Sequence, residues 1–137
     1  MKQPARIGTA LALLAACAVT ACSANSTQQA AVGGMTECTT TALAGPATAA
    51  AQAMGPDNLY TVDDLHCADG WAVTAGLLSS RANPSMGAPT SFVFEQEGQL
   101  WIPKDKAKVC GTNPTTTTAP ADAVIPAALF LPGCAAG

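Results

Sequence analysis

The sequence is poor in bulky side chains, in positive charge and in histidine. Aromatic residues make up 4% of it, with two tryptophans, one tyrosine and three phenylalanines. Much of the remaining apolar content is alanine, which buries little area, so the core is expected to be thin and to need covalent support. Six Lys and Arg against nine Asp and Glu leave no basic stripe for a phosphate backbone, which argues against nucleic acid as a partner. The single histidine, His66, and the absence of any Cys-x-x-Cys pair remove the usual zinc ligand spacings. No Gly-x-Ser-x-Gly elbow presents a nucleophile, and no glycine-rich loop cradles a phosphate. No apolar run approaches the roughly 20 residues that a membrane-spanning helix needs. No metal or cofactor is therefore expected.

What is present first is an export signal. Lys2 and Arg6 form a positive n-region, and Ile7 to Val19 is apolar apart from Gly8 and Thr9. The run ends in Val19-Thr20-Ala21-Cys22, which resembles a bacterial lipobox: small residues admit the signal peptidase, and the cysteine thiol receives diacylglycerol. The resemblance implies cleavage before Cys22 and acylation of Cys22, holding the chain on the extracytoplasmic face of the cell membrane. Two or three acyl chains anchor stably where one is marginal. The alternative is an ordinary secretory signal in which Cys22 is incidental. Residues 1–21 are accordingly read as signal peptide, 22–36 as a flexible tether of small polar residues, and 37–137 as a single domain. Without Lys2 and Arg6, four basic residues face nine acidic ones, a net charge of −5. Such a balance gives no attraction to anionic lipid beyond the anchor.

Cys17 lies in the h-region and leaves with the leader, so the domain keeps Cys38, Cys67, Cys110 and Cys134. Outside the cell, four cysteines in a small thin-cored domain read as two disulfides. Three pairings are open on sequence alone. The preferred one is Cys38 with Cys67 and Cys110 with Cys134, because each bond would tie a flanking helical segment to one end of a sheet. A four-cysteine metal site is the competing reading, disfavoured by the spacing and the oxidising compartment.

The expected fold is α+β: an antiparallel sheet of about four strands, an N-terminal helical segment and a short C-terminal helix, stapled by disulfides. Cys38 to Met54 is alanine-rich, with Thr36 or Thr39 as N-cap, and Gly45-Pro46 predicts a kink or two short helices. Leu59 to Cys67 is strand-prone, and Asp69-Gly70 signals a hairpin into a strand whose Trp71, Val73, Ala75 and Leu77 share a face. A polar loop from Ser79 to Pro89 leads to the next strand. Placing Glu97-Gly98 in a two-residue turn sets Phe94 opposite Trp101 on the core side, with Phe92 on the same face. Lys104-Asp105-Lys106-Ala107-Lys108 is either a contact for an anion or an acidic partner or, preferably, a solvated turn. The threonine run before Pro120 reads as loop or glycosylatable linker. Ala121 to Leu131 carries apolar residues at helical spacing, with Asp122 near its start; Pro126 serves as N1 of a short helix that Pro132-Gly133 stops.

Cys67, Asp69-Gly70-Trp71-Ala72, Trp101, Val109-Cys110-Gly111 and Cys134 together resemble a loose group of small secreted actinobacterial proteins, many of them lipoproteins. The likeness covers most of residues 37 to 134. It implies a shared α+β scaffold and assigns no catalytic residue.

Chemistry has few candidates. His66 stands near Asp63, Asp64 and Asp69 and could join them in a metal or acid/base cluster, but Asp69 is better explained as a turn residue. A structural or solvated His66 is the preferred reading. Ser79, Ser80, Ser85 and Ser91 supply hydroxyls without an elbow. The function expected is a non-enzymatic lipoprotein domain that binds or assists an envelope protein, with inhibition of a secreted or wall-degrading hydrolase as the alternative.

Overall fold

In the computed structural model, residues 36–114 and 117–135 are described. The expected leader, the anchor Cys22 and the tether through residue 35 lie outside the described residues. The elements run α1 (Thr40–Met54), β1 (Asn58–Ala68), β2 (Trp71–Ser80), β3 (Ala88–Glu97), β4 (Leu100–Lys104), α2 (Lys106–Val109) and α3 (Ala127–Phe130), followed by one π-helical turn over Leu131–Ala135. The strands form one antiparallel sheet in the order β1-β2-β3-β4. Disulfides join Cys38 to Cys67 and Cys110 to Cys134, the preferred pairing.

Both faces of the sheet are covered. On one, Leu43 and Ala47 of α1 pack on Ala72, Phe94 and Trp101. On the other, Val109, Cys110, Ile125, Leu129 and Phe130 pack on Trp71, Val73 and Val93. A single core side had been expected, around Phe92, Phe94 and Trp101. The alternating residues of β2 and β3 instead serve two thin cores, which is how a chain short of aromatics fills its interior from both sides.

Helix α1 is one helix with Pro46 inside it, the single helix and not the two short helices of the alternatives expected. Thr39 is the N-cap, its hydroxyl accepting from the Ala42 N–H at 3.1 Å. Leu43, Ala47 and Ala51 recur at every fourth position and are the residues it buries. That packing holds a helix whose proline removes one backbone hydrogen bond. At its end, the Asn58 side-chain amide donates to the Ala51 carbonyl at 3.1 Å.

The first hairpin turns at Asp69-Gly70, both with positive φ, as expected of this pair. The second turns one residue later than expected. Glu97 faces Leu100 and Gln96 faces Trp101, so the turn is Gly98-Gln99 and Phe94 stands opposite Pro103. The physical reason is the backbone: positive φ falls at the first central position of the turn, where Gly98 adopts φ 63° at no steric cost and Glu97 would be strained. Phe94 and Trp101 are therefore diagonal neighbours on the α1 face, both buried, and not a directly opposed pair.

Three further expectations change. Leu77 shares the Trp71 and Val73 face by alternation but is exposed, because the C-terminal segment covers only the other end of that face. The short helix expected to begin at Pro126 begins one residue later, at Ala127, with Pro126 as the N-cap and not N1. Upstream, the Asp122 carboxylate accepts from the Thr112 N–H and hydroxyl, and the N–H groups of Val124 and Ile125 donate to the Val109 carbonyl at 2.9 and 3.1 Å. These bonds hold the segment in irregular backbone and leave Val124 exposed. Pro132-Gly133 does not stop the helix but lies inside the π-helical turn, with Gly133 buried against Ile125, Val73 and Val93.

Candidate functional site

The cluster suggested around His66 does not assemble. The His66 Nε2 lies 2.9 Å from Asp64 Oδ2, with the imidazole 44% exposed. Asp63 is the extra residue where the β1 register shifts, and Asp69 is taken up by the hairpin turn. Among the described residues, no group of three His, Cys, Asp or Glu side chains is placed to hold a metal ion.

The lysine cluster separates into three environments. Lys104 bridges Glu95 at 2.8 Å and Glu97 at 2.7 Å, and these bonds raise its pKa above the ordinary lysine value. Lys108 is exposed. Lys106 opens α2, which Asp105 caps by accepting from the Ala107 N–H at 2.9 Å, and its side chain turns back onto the sheet. There its Nζ donates to Ser91 Oγ at 2.6 Å. Ser91 is 5% exposed and Lys106 half-buried, and burial lowers the Lys106 pKa. Among the described residues no carboxylate pairs with Lys106. A solvated turn was the preferred reading of this stretch; one of its lysines is instead held against a buried hydroxyl.

Residue type and spacing alone do not bring Ser91 and Lys106 together. The signal that joins them is register. Val93 faces Lys104, so two residues further along each chain Ser91 comes level with Lys106. The turn placed one residue earlier would have set Ser91 beside Lys104.

A second region of interest is the end of the sheet away from the chain's entry. Thr36 enters beside the β3–β4 turn: its hydroxyl donates to the Gln99 carbonyl, and its own carbonyl accepts from Gln96 Nε2 at 2.9 Å. Trp101 Nε1 donates to the Glu37 carbonyl at 3.4 Å. The opposite end carries the β2–β3 loop, where residues 81–89 are all exposed. Met86 there is 76% exposed, and Met54, at the end of α1, is 66% exposed. Arg81 is the only charged residue between Gly70 and Phe94.

Comparison with known proteins finds no matching family model, no matching curated protein and no matching solved structure. No helix among the described residues is long and apolar enough to cross a membrane.

Proposed function

We propose that this chain is a lipoprotein anchored through Cys22 on the extracytoplasmic face of the cell membrane, whose domain is a non-enzymatic binding or accessory module for an envelope protein. The observation that carries the reading is Val19-Thr20-Ala21-Cys22 behind a charged n-region and a short apolar run. Two disulfides agree with an oxidising compartment. The domain's layout supports the binding part. A tether joining at Thr36 leaves the β2–β3 loop at the far end of strands about 30 Å long, at roughly 3.3 Å per residue. That end presents two exposed methionines, side chains flexible enough to repack against a partner.

The test is recovery of the acylated protein from envelope extract, beside Cys22→Ala and Met86→Asp variants. A membrane-embedded sensor or assembly protein retained by the native protein and lost with Met86→Asp supports the reading. Recovery of a wall-degrading hydrolase would replace it with the inhibitor reading, and a mature protein that carries no acyl chain would overturn the anchor.

A further inference from the structure

We propose that Ser91 and Lys106 act as a nucleophile and its base, through which the domain accepts an acyl group from small activated esters. This goes beyond the binding role and does not depend on it.

The geometry has the features such a pair requires. The two side chains meet at 2.6 Å, within the distance over which a proton passes between a hydroxyl and an amine. Neither arrives by chance of surface flexibility: Ser91 is fixed in β3, and Lys106 follows Asp105, the cap that sets the direction of α2. An ordinary half-buried lysine is expected to seek a carboxylate, since burial penalises its charge. The carboxylates of β3, of the α2 cap and of the C-terminal segment are committed elsewhere. Glu95, on the same sheet face, is bound by Lys104; Asp105 caps α2; and Asp122, the only charged residue in 117–135, holds Thr112. Strand β2, the other neighbour of β3, carries no charged residue, and Lys108 is exposed. Lys106 is left facing a hydroxyl, with burial lowering its pKa. A lysine in that state is the kind that serves as a general base.

The step balances within the pair and the ester. The Ser91 Oγ–H proton passes to the neutral Lys106 amine as the Oγ bond to the acyl carbon forms. The bond from the acyl carbon to the leaving oxygen breaks, and the Lys106 ammonium returns the proton to that oxygen. The products are O-acylated Ser91 and a free alcohol.

The experiment treats the full exported chain with p-nitrophenyl acetate and maps the acetyl group by peptide mass spectrometry. One acetyl per chain is expected on Ser91, with release of one equivalent of nitrophenol. The rate should rise with pH through a midpoint below the ordinary lysine range, as the Lys106 amine loses its proton. Lys106→Arg keeps the charge and the stem but cannot accept the proton, and should slow Ser91 acetylation by on the order of 100-fold. Ser91→Ala should abolish the labelling. The wild-type pH profile carries the same test if either variant fails to fold. Acetyl found on Lys106 itself, or only on Lys104 and Lys108 with Ser91 unmodified, would overturn the proposal.

Discussion

The ring of Tyr60 crosses β2 at Gly76. Its hydroxyl thereby reaches from an edge strand to the Thr90 carbonyl on β3 at 3.0 Å, with Thr74 Oγ1 at 3.3 Å and the Phe92 ring edge-on at 4.8 Å. A Cβ at Gly76 would come within 3.2 Å of Tyr60 Cζ and would collide with the Thr61 carbonyl. The register shift between Val62 and Asp64 belongs to the same arrangement. It turns Tyr60 and Val62 toward α1 together with Leu65 and Cys67, which strict alternation would not allow.

Two effects therefore compete in Gly76→Ala. Replacing a strand glycine by alanine ordinarily gains about 0.5–1 kcal/mol. Overpacking costs roughly 1–3 kcal/mol, and a clash with backbone belongs at the upper end because no side chain can swing away. The expected net is a loss of about 2 kcal/mol by urea unfolding. Tyr60→Phe, which removes only the hydroxyl, should cost about 1 kcal/mol. Unchanged stability in Gly76→Ala would contradict this packing.

His66 faces the opposite prediction. Its pairing with Asp64 is solvent-exposed on both sides, and such pairs contribute between 0 and about 1 kcal/mol. His66→Ala should leave the unfolding midpoint nearly unchanged and leave partner recovery intact. A divalent ion bound stoichiometrically by the native domain and lost in this variant, measured by metal analysis, would instead make His66 a ligand.

The α+β order and the first hairpin could be read from local chemistry, since Asp69-Gly70 states its own turn; the disulfide pairing is the one of three open pairings that ties the flanking segments of Cys38 and Cys134 to the sheet ends at Cys67 and Cys110. What escaped was decided by tertiary contact. One residue's difference in the Gly98 turn moved Trp101 from Phe94 to Gln96, and with it Ser91 from Lys104 to Lys106. The strand pattern could not reveal that both faces are buried, because the cover for the Trp71 face comes from Ile125, Leu129 and Phe130, far along the chain. Nor does the apolar spacing from Ala121 show that Asp122 is held by Thr112 and that the stretch before Pro126 is irregular backbone.

The two disulfides are expected to support different faces. Cys38 precedes α1 and is bonded to Cys67 near the end of β1, beside the Leu43, Phe94 and Trp101 core. Cys110 follows α2 and is bonded to Cys134 in the π-helical turn, within the Val73, Ile125 and Phe130 core. Their sequence separations of 29 and 24 correspond to about 3.5 kcal/mol each in the loop-entropy account. Against a typical domain stability of about 5–15 kcal/mol, either loss is large but survivable. Replacing Cys110 and Cys134 by alanine should speed amide exchange at residues 123–134 and brighten or shift Trp71 fluorescence, while α1 stays protected. Replacing Cys38 and Cys67 should do the reverse, loosening α1 and leaving Phe130 in place. Non-reducing peptide mapping must first find the native pairs. Equal loss of protection on both faces from either double variant would mean that the two cores open as one.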